Sequence, residues 1–281
     1  MGDLSQIVIG SRSGMILLKR ERSRTTMNSI ELSALSPAES LLWSYGIADP
    51  ADIDLDAIAL DMGATVHRRP LCGCEARLVV NGAKAAITIN SKSILARQRF
   101  SLAHELGHLR LDRGRSGFLC TSRDIGPQSD ASRDGEAIAN SFASQLLLPS
   151  YLFIPAADGK PLTVDTAQKL GATFNASITA TCIKMVRTSP VPAWVVCHVR
   201  KGLAWFFKSP SAPENLFLNR ELHYATDAFE LVYGEGEGKS RIKIDVGQHW
   251  FSDREASRYQ VRSQSFRVQY GTVISVLSLV K

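Results

Sequence analysis

The order of apolar and polar residues predicts helices and strands in turn from about residue 36 onwards. Residues 36–39 (Ser-Pro-Ala-Glu) combine a capping Ser, a Pro in the first turn and a Glu three positions after the cap, and the apolar residues 41–43 follow. This pattern is typical of a helix start. A second helix is predicted from Leu55 to Met62, ending at Gly63, and residues 64–67 are predicted to form a strand.

A β-hairpin and two longer helices are predicted in the middle of the chain. The β-forming residues 76–80 and 85–89 flank an Asn-Gly pair at 81–82, which is typical of a tight hairpin turn. From Ser93 the apolar residues recur at helical spacing, and another helix is expected from about Arg133 to Leu148, before a proline.

The sequence changes from helical to β-forming character near residue 190. Residues 161–190 are predicted to form two short helices joined at Asn175-Ala176-Ser177, and β-forming runs follow Pro192. We therefore predict an α+β protein with four parts: a disordered leader (1–30), a main domain (31–155), a short helix-turn-helix-like helical segment (160–190) and a C-terminal α+β domain (191–281).

Composition and charge are those of a soluble globular protein. Of the 281 residues, 44% are hydrophobic and 21% are charged, and no apolar run is long enough to span a membrane. The net charge of +6 is scattered along the chain, so contact with DNA is possible but not expected. The five cysteines are odd in number and the N-terminus lacks the order of a signal peptide, which predicts a cytoplasmic protein. Cys72, Cys74 and Cys120 are interpreted as small buried thiols rather than a second metal site.

The strongest chemical signal is the run His104-Glu105-Leu106-Gly107-His108, within the helix predicted after Ser93. Residues four apart lie on one face of a helix, so His104 and His108 can offer two imidazoles to one metal ion. Glu105 projects about 100° further around the axis, where its carboxylate can take a proton from a water molecule that the metal has made more acidic. The pattern predicts one catalytic Zn²⁺ with Glu105 as the general base; Mn²⁺ is a second candidate for the same ligands.

The third ligand is expected from the helix that follows, because a catalytic zinc needs three protein ligands and an open fourth position. Glu136 is the preferred candidate, since it begins the apolar-periodic part of that helix. Asn140 lies one turn later, where it could orient Glu136 from outside the ligand shell. Asp130 and Asp134 are the rival ligands.

Two runs together resemble the ImmA/IrrE family of zinc metallopeptidases. The likeness extends over about residues 50–190, and Ile138 departs from it at a position where family members often have a polar residue. The matching residues are Gln98-Arg99-Phe100-Ser101-Leu102-Ala103-His104-Glu105-Leu106-Gly107-His108 in the first run and Glu136, Ala139, Asn140, Phe142, Ala143, Leu146, Leu147 and Pro149 in the second.

The resemblance implies a minimal zincin-like metallopeptidase domain in which His104, His108 and Glu136 hold the zinc ion and Glu105 is the general base. It also implies a substrate class, namely helix-turn-helix repressors whose cleavage releases stress-response or mobile-element genes. In such folds a strand like Ile87-Thr88-Ile89 pairs with an extended substrate through main-chain hydrogen bonds.

Two functional classes remain open on the sequence alone. One is a peptidase acting on a repressor, and the other is a DNA-binding or protein-binding transcription regulator with a structural zinc site. The second helix within 161–190 could present Lys184 and Arg187 to DNA, although packing against the peptidase core is the preferred interpretation. Glu105 separates the two classes, because a structural zinc site does not need a general base.

Overall fold

The computed structural model describes residues 32–111, 118–120, 135–236 and 238–280. The predicted leader (1–30) and the rival ligands Asp130 and Asp134 lie outside these ranges. Within them the chain forms eight α-helices and nine strands, which confirms the α+β prediction. The helices are α1 (Pro37–Ser44), α2 (Leu55–Asp61), α3 (Leu95–Leu111), α4 (Gly135–Leu147), α5 (Ser150–Ala157), α6 (Val164–Phe174), α7 (Ile178–Arg187) and α8 (Asp227–Tyr233). The strands are β1 (Ala64–Arg69), β2 (Ala76–Asn81), β3 (Lys84–Asn90), β4 (Phe118–Cys120), β5 (Ala193–Val199), β6 (Gly202–Lys208), β7 (Lys243–Val246), β8 (Gln260–Gln269) and β9 (Thr272–Val280).

The helix-capping signals in the sequence act as predicted. The Ser36 hydroxyl accepts a hydrogen bond from the Glu39 main-chain N–H, and the Glu39 carboxylate accepts one from the Ser36 N–H, which completes a capping box at the start of α1. Asn175 adopts the left-handed conformation (φ 50°) at the end of α6, and the Ser177 hydroxyl caps α7. The predicted helices therefore begin and end close to the expected residues.

The hairpin turn between β2 and β3 lies one residue later than the sequence predicted. Asn81 still pairs with Lys84, so the two residues of the turn are Gly82 and Ala83 rather than Asn81 and Gly82. Gly82 has φ +59°, and a two-residue hairpin turn with a positive φ at its first position favours glycine there. Of the predicted Asn-Gly pair, Asn81 thus ends β2 and Gly82 begins the turn.

The first sheet is mixed, with the strand order β1-β3-β2-β4. β3 runs parallel to β1 and antiparallel to β2, and β2 pairs antiparallel with β4. Ile87, in the middle of β3, lies between Val66 of β1 and Leu78 of β2. Leu78, Ile87 and Ile89 are buried in the same core as Leu102 and Leu106 of α3, so this helix packs on the sheet.

The second sheet is antiparallel, with the order β6-β5-β9-β8-β7, and its strand β5 is buried on both faces. Along β5, Val195 and Cys197 belong to the core that also contains α3, α4, α6 and α7. Trp194 and Val196 point the other way, into a second core with residues of α8. Side chains alternate between the two faces of a strand, which explains why residues 193–197 of β5 are all apolar.

Among the described residues, no single helix is both long enough and apolar enough to cross a membrane. α4 and α5 meet the length and composition criteria only when taken together, and they are bent by 56° at the break between them.

Candidate metal centre

The start of α3 is tied to the hairpin that precedes it. The Ser93 hydroxyl donates a hydrogen bond of 2.6 Å to the Glu75 carboxylate, and the Gln98 side-chain amide donates one of 2.7 Å back to the Ser93 carbonyl. Both donors are side-chain groups, and the two bonds hold Ser93, which leads into α3, against the hairpin and the first turn of the helix. They fix where α3 begins and hence which of its residues face the site.

His104 and His108 lie one turn apart on α3, and both side chains are buried. Their Nε2 atoms are 3.1 Å apart. The Nδ1 of His104 lies 3.1 Å from Oδ1 of Asn140 on α4. Because an amide oxygen only accepts hydrogen bonds, Nδ1 carries the proton and the Nε2 lone pair of His104 is left to face His108.

Glu136, in the first turn of α4, brings its carboxylate to the two imidazoles. One carboxylate oxygen lies 3.1 Å from His104 Nε2 and the other lies 3.4 Å from His108 Nε2. The carboxylate side chain is 31% exposed, so solvent reaches the site from the α4 side. These three residues are the one group of His, Cys, Asp or Glu side chains within the described ranges that could hold a metal ion, with ligand atoms within 4.8 Å of one another.

The spacing of these ligand atoms fits a zinc ion. Two atoms that bind one tetrahedral zinc at about 2.0–2.1 Å are separated by about 3.3 Å. The Nε2···Nε2 distance of 3.1 Å and the Nε2···O distances of 3.1 and 3.4 Å are close to that value. Two neutral imidazoles and one carboxylate are also the donor set of many catalytic zinc sites, in which a fourth position stays open.

Glu105 follows His104 on α3 and is fully buried. A buried carboxylate is costly unless positive charge or hydrogen bonds compensate it, and a divalent ion held by the adjacent histidines would contribute positive charge. His104 and Glu105 are thus both shielded from solvent, whereas Glu136 is partly exposed.

The structure brings His104, His108 and Glu136 together as the sequence predicted. It also places the Asn140 amide oxygen against the His104 ring, while the predicted role of Asn140 in orienting Glu136 stays a prediction. Glu136 and Asn140 are four residues apart on α4, so both face α3 and either contact is compatible with the helical spacing.

The prediction that Ile87-Thr88-Ile89 pairs with substrate is wrong for main-chain pairing. Both edges of β3 are already hydrogen bonded, to β1 on one side and to β2 on the other. An extended peptide adds to a sheet only at a free edge. Among the strands that the structure describes, β1 and β4 are the outer ones of this sheet, so a peptide could be added to the described sheet only at these two strands.

Two further predictions concern side chains outside the site. Cys72 is exposed and Cys74 is half-buried, so neither is the small buried thiol that was expected. Lys184 of α7 is buried instead of facing solvent, and its ammonium donates hydrogen bonds to Gln145 and Ser150, each 2.8 Å long. α7 therefore packs on the core and does not present Lys184 to DNA.

The comparisons with known proteins agree with this geometry. Residues 61–185 match the model of the Peptidase_M78 family, described as the IrrE N-terminal-like domain. This segment, which makes up less than half of the chain, is thus similar to the Peptidase_M78 family. The Peptidase_M78 match includes α3 and α4 in full, and with them all three residues of the candidate metal centre.

The whole chain also has a structural relative. A protein described as "Mycobacterium tuberculosis transcriptional regulator" is similar with a TM-score of 0.56 and 14% sequence identity, over 95% of this chain and 94% of that one. At this identity the similarity concerns the fold, which extends beyond the Peptidase_M78 segment to the C-terminal sheet. No curated protein sequence matches the chain.

One feature of the site was not predicted from the sequence, namely that Gly107 is a point of close approach between α3 and α4. A Cβ atom placed on Gly107 would lie 3.0 Å from the Ala139 Cα atom. The signal was present in the sequence, because Gly107 lies between the two histidines and alanines recur on the facing helix. Their pairing depends on the relative position of the two helices, which no local pattern contains.

Proposed function

We propose that this protein is a zinc-dependent metalloendopeptidase in which His104, His108 and Glu136 bind the zinc ion and Glu105 is the general base. The observation that carries the proposal is the convergence of two imidazole nitrogens and a carboxylate at 3.1–3.4 Å, on helices of a Peptidase_M78 domain. Mn²⁺ is compatible with the same ligands, so the metal must be identified by analysis of the purified protein.

Each residue of the site has its own role in the reaction, which follows from its position. Zinc, when bound, acts as a Lewis acid that makes water more acidic and polarises a peptide carbonyl. Glu105 accepts the proton of the attacking water and later donates it to the departing amine. Asn140 holds the Nδ1–H of His104, so that the opposite nitrogen keeps its lone pair for the metal. Burial of His104 and Glu105 keeps bulk water from the inner side of the site.

We further propose that the substrate is a helix-turn-helix transcriptional repressor, whose cleavage relieves repression of stress-response or mobile-element genes. The Peptidase_M78 match and the resemblance of residues 98–108 and 136–149 to the ImmA/IrrE peptidases support this substrate class. If the substrate pairs with the first sheet, the outer edge of β1 or of β4 is the place for it.

The test replaces the base and one ligand separately. Glu105→Gln is expected to keep one equivalent of zinc while cleavage falls by about 10²–10⁴-fold, the range that a general base contributes. Glu136→Ala is expected to lose zinc on dialysis, because two imidazoles alone make a weak site. Cleavage of a co-encoded helix-turn-helix repressor is followed by mass spectrometry of the fragments, and zinc content by elemental analysis.

Glu221→Gln is the matched control, since this carboxylate is exposed and lies outside the Peptidase_M78 segment. It should change neither zinc content nor cleavage. Full activity of Glu105→Gln would refute the assigned base, and a normal zinc content of Glu136→Ala would move the third ligand to Asp130 or Asp134. Tight, salt-dependent binding of operator DNA by a wild-type protein that cleaves no repressor would favour the regulator with a structural zinc site.

A further inference from the structure

Gly107 lies between the two histidines of α3, at the place where this helix crosses α4. A Cβ atom at this position would be 3.0 Å from the Ala139 Cα atom, 3.2 Å from the Ala139 carbonyl oxygen and 3.3 Å from the Phe142 Cβ atom. Ala139 is fully buried at this crossing. The two helices therefore touch main chain to main chain.

These contacts cannot be relieved by a side-chain rotation. Two of the three atoms belong to the main chain of α4, and the third is the first side-chain atom of Phe142, whose place is fixed by the main chain. A methyl group at residue 107 would therefore push α4 away from α3 by a few tenths of an ångström, because packed interiors have no free volume to absorb it.

The same stretch of α4 carries two residues of the candidate metal centre. Ala139 follows Glu136 by three residues and directly precedes Asn140. A shift of α4 at Ala139 moves the Glu136 carboxylate and the Asn140 amide together, away from His104 and His108. Metal sites tolerate errors of only about 0.2 Å in ligand distances, so a shift of a few tenths of an ångström is large enough to weaken binding.

We propose that Gly107 is a positioning residue for the metal centre: the absence of a side chain sets the distance between α3 and α4, and this distance sets the affinity for zinc. The inference rests on the proposed function, since it takes the three residues as the zinc ligands. Gly107 has no functional group of its own, and its proposed effect on zinc affinity comes from the distance between the two helices.

Helix propensity alone makes the opposite prediction for the substitution. Gly is less favourable than Ala in a helix interior, so Gly107→Ala should stabilise an isolated α3. A loss of zinc affinity in this variant can therefore not be attributed to a weaker helix. It would have to come from the contact with α4.

The experiment compares Gly107→Ala with a matched control, Gly171→Ala. Gly171 is also a helical glycine in close contact with a neighbour: a Cβ there would lie 3.1 Å from the Ala176 carbonyl oxygen and 3.2 Å from the Thr181 hydroxyl. It lies in α6, which contains none of the proposed ligands. Zinc affinity of both purified full-length variants is measured by competition with a chromophoric chelator.

Gly107→Ala is expected to bind zinc about tenfold more weakly than the wild-type protein, or weaker still, which is the scale of losses when ligand support is disturbed. Gly171→Ala should bind zinc as the wild-type protein does. Equal affinity of Gly107→Ala and wild type would overturn the inference while leaving the proposed function intact. Failure of the wild-type protein to bind zinc would instead refute the proposed function, and the inference with it.

A second measurement applies if Gly107→Ala is unfolded without metal. Zinc is then titrated into the unfolded variant, and the recovery of its helical circular dichroism signal is followed, because binding and folding are linked. The reference is the wild-type protein, treated with a chelator and kept at the urea concentration that unfolds half of it. A zinc requirement about tenfold higher than the reference supports the inference, and a midpoint equal to the reference overturns it.

Discussion

The contact between Asn140 and His104 is a hydrogen bond whose direction determines which histidine nitrogen can bind metal. Asn140 Oδ1 accepts from Nδ1–H at 3.1 Å, which leaves the lone pair on Nε2. Asn140→Ala removes the acceptor and lets the ring rotate or take the other tautomer. We predict a 10–100-fold loss of zinc affinity, the usual cost of removing such a partner, in a chelator competition assay.

Ser141→Ala serves as the control for Asn140→Ala, because Ser141 is the next residue of α4 and its side chain is exposed. Asn140→Asp should retain most of the affinity, since a carboxylate oxygen also accepts from Nδ1–H. If Asn140→Ala bound zinc as tightly as Ser141→Ala, the contact with His104 would be a packing contact without influence on the metal.

The residues of the site differ in how far the sequence alone could place them. His104, Glu105 and His108 follow from helical spacing, because all three belong to one helix. Glu136 depends on how α4 packs against α3, so Asp130 and Asp134 could not be excluded from spacing. The contact of Asn140 with His104 could not be predicted for the same reason, since it joins residues of two helices that are 36 positions apart in sequence.

Helix α7 shows that a basic residue can be buried in the core although its charge suggests a position on the surface. Lys184 is 6% exposed and its ammonium is bonded to Gln145 and Ser150. Burial lowers the pKa of Lys184 to about 8, although the nearby Glu39 carboxylate opposes the shift. The sequence favoured packing of α7 on the core but left DNA contact by Lys184 open, because periodicity cannot distinguish a lysine that faces solvent from one that reaches polar partners in the core.

The lowered pKa of Lys184 predicts a rise in stability at alkaline pH. In the unfolded chain a lysine keeps its proton up to about pH 10.4, whereas in the folded protein Lys184 releases it near pH 8. Between these values the unfolded state binds more protons, so the free energy of unfolding increases with pH. The increase in the free energy of unfolding between these two pKa values is on the order of 3 kcal/mol. Urea unfolding of the metal-free protein at pH 7.5–10 measures this increase.

Lys184→Met removes this titration, so the free energy of unfolding of the wild-type protein should rise relative to that of the variant across the window. Lys169→Met, at an exposed lysine of the neighbouring helix α6, is the control and should follow the wild-type pH dependence. Parallel curves for wild type and Lys184→Met would show that Lys184 keeps its ordinary proton affinity in the folded protein.

Helix α5 was not predicted, and its sequence explains why. It has eight residues, begins after Pro149 and contains Pro155, which removes one main-chain donor. Proline in a helix interior costs about 3 kcal/mol, so no local pattern favours a helix there. The burial of Phe153 and a hydrogen bond of 2.8 Å from the Tyr151 hydroxyl to the Ile47 carbonyl stabilise it in the folded protein. Both interactions come from distant parts of the chain.

The whole molecule is held together by a core that crosses the predicted domain boundaries at 160 and 191. Val195 of β5 and Val276 of β9 lie in the same buried cluster as Leu102 of α3. Gln264 of β8 accepts a hydrogen bond of 2.8 Å from the Val164 N–H at the start of α6, and its amide donates one of 3.0 Å to the Asp165 carboxylate. The predicted division into 31–155, 160–190 and 191–281 can be tested with a truncated chain.

A chain that ends at residue 190 is expected to lose much of its stability. It would expose the faces of α6 and α7 that now cover the second sheet, and the main-chain N–H of Val164 would lose its partner on Gln264. Burial of one Val, Ile or Phe side chain contributes about 1.5–3 kcal/mol, and several are affected, against a typical total of about 5–15 kcal/mol. We predict a thermal midpoint lower by at least about 10 °C, or no cooperative transition at all.

The full-length variant Gln264→Ala provides the complementary measurement, because it removes only the polar link and keeps the apolar contacts. It should lower stability by about 1–3 kcal/mol, the cost of leaving a buried donor unsatisfied, and leave zinc content unchanged. If the chain ending at residue 190 unfolded cooperatively at the wild-type temperature and still bound one zinc ion, the predicted boundary at 191 would separate independent units. The second sheet would then have no part in supporting the fold of the metal centre.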